Sequence, residues 1–161
     1  MFIKIVILYV VFLFSTFVHE FGHIMMAKIF YNVKDCRIEI GNGKIIFKLK
    51  KIVVRAIPAS GHAYWEFKDW DSYRKSSKLR KIMPSLGGPL FSLVMSILFA
   101  IAFYRGKPYL KFFDILLKFL IYMNVSCFII TILPIKYLDN ISDGQFILNI
   151  IKSTEDNVNL K

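Results

Sequence analysis

Two histidines and a glutamate are grouped near the start of the chain, His19, Glu20 and His23, in the pentapeptide HEFGH. Residues four apart on an α-helix share one face, so both imidazoles can reach a single ion. Glu20 lies beside them and can take a proton from a water molecule that zinc makes acidic. The pattern therefore predicts a catalytic zinc site at which Glu20 accepts a proton from water. The alternative is a chance match, since five-residue patterns also occur on surface helices.

The residues around this motif are too apolar for an ordinary soluble domain. Of 161 residues, 56% are hydrophobic and 16% aromatic, more than a small core can cover. Apolar runs occupy residues 4–28, 82–104 and 119–135, the last with a mixed lead-in from 109. About 20 residues cross a bilayer as a helix. Three transmembrane helices are therefore predicted, rather than three buried helices of a soluble protein. Histidine and glutamate in such a helix are costly unless paired or ligating, which favours the metal site.

The basic residues are concentrated between the first two apolar runs. Fourteen of the 22 Lys and Arg residues lie at positions 28–81, against five acidic residues there. The positive-inside rule places this loop and the C-terminal tail in the cytoplasm, with the N-terminus outside. The positive charge is thus interpreted as a topology signal and a contact with anionic lipid heads rather than a nucleic-acid surface. The predicted location is the cell membrane.

The loop and the tail carry weaker signals. Residues 36–40 and 44–49 alternate around Gly41-Asn42-Gly43, which predicts a hairpin. A third strand is predicted at 52–57, a Gly-marked element at 61–65, and a short amphipathic helix at 145–152. Residues 1–152 are predicted to form one membrane-embedded domain, and 153–161 a flexible tail. The fold class is mainly α, with three core transmembrane helices and a small membrane-associated β element between the first two.

A catalytic zinc site needs a third protein ligand and an open fourth position. The candidates are His62, Asp139 and Asp143. Asp143 precedes Gly144, which permits a tight turn and a close backbone approach. Either aspartate could instead serve only to begin the tail helix. Cys36 and Cys127 form no disulfide framework and are interpreted as unpaired.

Four motifs in this order resemble the site-2 protease family of intramembrane zinc metalloproteases. HEFGH at 19–23 resembles its zinc signature, and PASGHA at 58–63 its P-x-G-G loop. GGPL at 87–90 resembles the G-P-x-x-N segment, and Pro134 with Asp143-Gly144 the late N-x-x-P…D-G motif. The resemblance covers roughly residues 12–145. No PDZ-like or CBS-like region is recognised in this sequence.

The resemblance implies one zinc ion held by His19, His23 and Asp143, with Glu20 as the general base. It implies cleavage of a transmembrane protein or peptide in or near its membrane segment, with the β element at 36–57 presenting an unwound substrate strand. Such cleavage releases a regulator or matures a peptide, as in regulated intramembrane proteolysis. Possible substrate contacts are His62, Gly88, Pro89, Ser92 and Thr131; His62 could also stabilise the oxyanion.

Two departures from the family pattern leave other interpretations open. Ser92 and Thr131 stand where the family has asparagines, and hydroxyls reach less far than amides. Residues 135–142 are longer than the compact family form, so Asp139 remains a rival third ligand. A non-catalytic, zinc-holding membrane binder or chaperone is the main alternative function. A metal transporter is weaker, because polar side chains such as Ser92 and Ser96 are few in the second span.

Overall fold

The computed structural model describes residues 2–106, 111–137 and 140–153. Asp139 and the predicted tail beyond Ser153 lie outside the described residues. The elements in chain order are α1 (Phe2–Phe30), β1 (Val33–Leu49), β2 (Ile52–Phe67), α2 (Trp70–Lys75), α3 (Lys78–Gly106), α4 (Lys111–Ile132) and α5 (Asp143–Lys152). In this part of the chain α1, α3 and α4 are long and apolar enough to cross a membrane. The predicted fold class is confirmed.

Helices α1 and α3 pack with their backbones nearly in contact. A Cβ atom added to Gly22 would lie 2.4 Å from the carbonyl oxygen of Gly87, and one added to Gly87 would lie 2.3 Å from that of Gly22. Side chains other than hydrogen do not fit at either position. Since lipid supplies no hydrophobic driving force between helices, such close approach by small residues stabilises their association.

A buried polar contact joins α1 to α4. The Nδ2 atom of Asn124 donates to Ser15 Oγ at 3.0 Å and to the carbonyl oxygen of Leu120 at 2.8 Å. Asn124 and Ser15 are both fully buried. Because an unpaired amide is expensive in an apolar interior, this contact fixes the rotation of α1 against α4.

The sheet differs from the hairpin predicted at Gly41-Asn42-Gly43. Both glycines have positive φ, 84° and 81°, but they bend β1 without ending it. The chain reverses instead at Lys50 and Lys51, and Lys50 has a φ of 47°. The predicted third strand at 52–57 and the element at 61–65 are both parts of β2. The reason is that a β-bulge takes up positive φ as readily as a turn does.

The bend folds the tip of the hairpin back onto its own base. Residues 38–40 of β1 pair with 61–63 of β2 on one side and with 52–54 on the other. The outer edge of β2 at 61–63 has no further strand beside it among the described residues. One face of this sheet packs Ile38 and Ile40 against Ile24 of α1. The sheet is thus anchored to the helix that carries the histidines.

The contact between α1 and α3 predicts that Gly87→Val destabilises the protein. The valine side chain would displace α1, and overpacking of this kind lowers the free energy of unfolding by roughly 1–3 kcal/mol or more. Thermal unfolding in detergent should show a lower midpoint than for the wild type. The control is Gly106→Ala, because no atom of the described residues lies within 4 Å of a Cβ at that position. Equal midpoints for Gly87→Val and Gly106→Ala would contradict the packing described here.

Candidate metal centre and active-site cavity

Three side chains from two distant parts of the chain converge beside α3. His19 Nε2 lies 3.1 Å from His23 Nε2 and 3.2 Å from Asp143 Oδ2. His23 Nε2 lies 3.4 Å from Asp143 Oδ1. Both histidines are buried and Asp143 is partly exposed. The two histidines come from one face of α1, and Asp143 is the first residue of α5.

These separations fit a tetrahedral zinc ion. Zinc binds histidine nitrogen and carboxylate oxygen at about 2.0–2.2 Å, which places neighbouring ligand atoms about 3.3–3.6 Å apart. The facing glycine of α3 leaves the room that two imidazoles need, since a Cβ at Gly88 would lie 2.3 Å from His23 Nε2. The donor set of two imidazoles and a carboxylate also suits zinc. Three protein ligands leave one position for water or substrate.

The far nitrogens of both imidazoles are held by α3. His23 Nδ1 donates to the carbonyl oxygen of Pro84 at 2.8 Å. The amide of Gly88 also lies 3.3 Å from Nδ1, but the contact with Pro84 is shorter. A carbonyl oxygen can only accept, so this shorter contact assigns the proton to Nδ1 and leaves the Nε2 lone pair facing the centre. His19 Nδ1 lies 3.1 Å from Ser92 Oγ, and Ser92 is fully buried. Contacts of this kind fix the tautomer and ring orientation of a metal-ligating histidine.

Asp143 is positioned by the residues that begin α5. Ser142 is the N-cap, and its Oγ accepts from the amide of Gln145 at 3.1 Å. A Cβ at Gly144 would lie 1.9 Å from the carbonyl oxygen of Ile132, so only glycine allows α5 this close to the end of α4.

Glu20 is buried on the same helix and faces the sheet. A Cβ at Gly61 would lie 2.5 Å from Glu20 Oε1, so the backbone of β2 passes directly over this carboxylate. Among the described residues, no hydrogen bond engages the carboxylate oxygens of Glu20. The carboxylate oxygens of Glu20 are therefore free to accept a proton next to the two histidines.

A cavity of about 1070 Å³ opens over this group. His62, which is exposed, and Thr131 line the cavity, as do the histidines, Glu20 and Asp143. Gly88, Pro89 and Ser92 are buried behind the imidazoles and are not among the residues lining the cavity. The structure thus brings four predicted site residues and two candidate substrate contacts to one space. The other three lie in α3, where Gly88 and Ser92 contact the histidines.

Several features of the site and its cavity could not be predicted from the sequence. The Pro84 contact uses a backbone carbonyl, which any residue type provides. Cys127 lines the cavity from α4, although a lone cysteine in an apolar run looks like a small core residue. Lys136, Tyr137 and Ile141 also line it, from a segment that appears in the sequence only as extra length.

Comparison with protein families identifies the chain independently of this geometry. The model of peptidase family M50 matches residues 7–111, which is 105 of the 161 residues. The matched region contains most of α1, the whole sheet, α2 and α3, and so includes His19, Glu20 and His23. Asp143 lies beyond it, so its assignment to the site depends on its position beside the histidines. The chain belongs to peptidase family M50, the site-2 protease family of metallopeptidases.

Proposed function

We propose that this protein is a zinc metalloendopeptidase that cleaves a transmembrane protein or peptide in or near its membrane segment. The observation that carries the proposal is the convergence of His19, His23, Asp143 and Glu20 on one cavity between apolar helices. His19, His23 and Asp143 hold one zinc ion, and Glu20 is the general base. The non-catalytic alternative gains no support from this arrangement, because a purely structural zinc has no use for the free carboxylate of Glu20.

When bound, zinc acidifies a water molecule and polarises the carbonyl of the scissile peptide. Glu20 accepts the proton as the water oxygen bonds to the carbonyl carbon. It then delivers that proton to the peptide nitrogen as the carbon–nitrogen bond breaks. The Ser92 and Pro84 contacts hold both imidazoles in the ligating tautomer during this exchange.

The outer edge of β2 supports binding of the substrate as an extended strand. The amide of Ile38 donates to the carbonyl oxygen of Lys51, directly before β2, at 2.9 Å. Backbone groups alternate between the two edges of a strand, so those of Glu39 face His62. The groups of Gly61 and Ala63 then face outward beside Glu20. Their position supports this edge, rather than the whole 36–57 element, as the segment that presents the scissile bond.

We also propose that the site lies near the cytoplasmic side of the cell membrane. The sheet, α2 and the start of α3 carry most of the basic residues. Lys78 at the start of α3 donates to the carbonyl oxygen of Ile151, so the end of α5 lies at the same end of the bundle. The positive-inside rule favours that end for the cytoplasm. Cleavage there would release a regulator or a mature peptide into the cytoplasm.

Metal content tests the ligand set without a substrate. Detergent-purified wild-type protein is expected to hold about one zinc per chain. Replacing a ligand, as in His23→Ala or Asp143→Asn, should remove most of it. Asp139→Asn is the control and should keep it. Elemental analysis after metal-replete expression measures all four. If zinc were lost in Asp139→Asn but kept in Asp143→Asn, the third ligand would be Asp139 rather than Asp143.

Glu20→Gln separates catalysis from metal binding. The amide keeps the shape of the side chain but cannot accept the proton, so cleavage of a co-expressed substrate should fall by about 100-fold or more. The zinc content should remain that of the wild type. Immunoblotting of substrate and product over time gives the rate. Wild-type cleavage by this variant would exclude Glu20 as the base.

Ser92→Ala should weaken zinc binding while leaving the fold intact. Loss of a partner that orients a metal-ligating histidine typically costs 10–100-fold in metal affinity. Competition against a chromogenic chelator measures the change. Ser96→Ala is the matched control, because Ser96 is also buried on α3 but donates to its own helix at Leu93. Ser92→Thr retains a hydroxyl and should recover part of the affinity. Equal affinities for the Ser92→Ala and Ser96→Ala variants would contradict this role.

A further inference from the structure

A second β-type segment borders the cavity between α4 and Asp143. Lys136 and Ile141 form an antiparallel bridge. On either side of this bridge, Tyr137 donates its amide to the carbonyl of Asn140 at 2.8 Å, and Ser142 donates to the carbonyl of residue 135 at 2.9 Å. We call these described residues, 135–137 and 140–142, the cavity hairpin.

The hydrogen-bond pattern shows which backbone groups of the cavity hairpin are free. In an antiparallel pair, hydrogen-bonded positions alternate with positions whose amides and carbonyls point outward. The hydrogen bonds between residues 135 and 142 and between residues 137 and 140 join the two strands of the cavity hairpin. The backbone groups of Lys136 and Ile141 therefore point to the two outer edges, and no backbone hydrogen bond to another described residue engages them.

The cavity hairpin and the outer edge of β2 border the same cavity. Lys136 and Ile141 line it together with Gly61 and Ala63. No backbone hydrogen bond joins the two segments in the described part of the chain. A cavity of about 1070 Å³ with unpaired strand edges in its walls is suited to an extended peptide.

The hydroxyls of Ser92 and Thr131 do not replace these backbone groups. Ser92 Oγ is engaged by His19 behind the site. Thr131 lines the cavity, but its hydroxyl donates to the carbonyl oxygen of Cys127 in its own helix at 2.8 Å. These two hydroxyls are therefore engaged elsewhere, whereas the outward backbone groups of the two strand edges remain available to a peptide main chain.

We infer that the substrate is held from two sides, as a central strand between the outer edge of β2 and one edge of the cavity hairpin. This inference rests on the proposed function, because it concerns the same scissile segment. It assigns to Lys136 and Ile141 a main-chain role that is independent of their side chains. The partner is an unwound segment of a membrane-spanning peptide, recognised by its backbone.

The test compares two hydroxamates on the zinc-loaded full-length protein in detergent. Acetohydroxamate can ligate zinc only, whereas a leucine-rich tripeptide hydroxamate also offers an extended backbone. The ratio of their dissociation constants, measured by calorimetry, reports backbone pairing. Lys136→Pro and Ile141→Pro each remove one outward amide, and Ile141→Val is the matched control that keeps it. Ala63→Pro probes the β2 edge in the same way.

The affinity of the tripeptide hydroxamate relative to acetohydroxamate should fall about tenfold in Ala63→Pro and in one of the two hairpin proline variants. The reason is that each of these variants removes one or two hydrogen bonds to the peptide backbone. Ile141→Val should keep the advantage. Loss in Ala63→Pro alone, with both hairpin variants unchanged, would overturn the inference and leave pairing with β2 only. Failure of acetohydroxamate to bind the wild type would instead count against the proposed zinc site.

A measurement on the wild type covers the case in which proline disturbs Asp143 and weakens both probes equally. Hydrogen exchange should slow at the amide of Lys136 or Ile141, and at that of Ala63, when the tripeptide hydroxamate binds. Acetohydroxamate should leave these amides unchanged. Protection at Ala63 with none at Lys136 or Ile141 would overturn the inference.

Discussion

Two imidazoles and two carboxylates lie together inside an otherwise apolar bundle, and the rest of the structure follows from keeping them there. Each such group is costly to bury unless another group satisfies it. For His19, His23 and Asp143 the satisfaction is mutual, whereas the carboxylate of Glu20 opens to the cavity. Asp143 contacts both histidines, and α3 supplies an acceptor or a hydroxyl to the far side of each ring. The site is stable because few of its polar atoms lack a polar partner in the apolar bundle.

This constraint explains where small residues occur. The imidazoles can reach α3 only if its backbone comes close, and glycines at 22, 87 and 88 allow that approach. The carboxylate of Asp143 can reach the imidazoles only if α5 begins directly against α4, which Gly144 permits. A larger side chain at any of these positions would move a ligand rather than merely fill space. Close packing and the geometry of the candidate site are therefore set by the same residues.

The sequence was sufficient to predict the helices and the shared helix face of His19 and His23, because both depend on local signals. Apolar runs predict the spans, and a four-residue spacing places His19 and His23 on one face whatever surrounds them. The structure also brings Asp143 to them, as the Asp-Gly pair suggested. The sheet was harder, since Gly41 and Gly43 serve a bend as well as a turn, and a reversal at Lys50 has no turn-forming residue. The position of Ser92 depends on the depth at which α3 crosses α1, which no local pattern records.

The third contact of the site also has a consequence for biosynthesis. Asp143 meets His19 across 124 residues, so every membrane span must be inserted before this contact can form. Contacts this distant in sequence form late, because the intervening chain must be ordered first. A nascent chain would carry the histidine pair in the membrane without its carboxylate partner. The complete centre then arises only in a finished bundle, which keeps a half-made protease from acting on its neighbours.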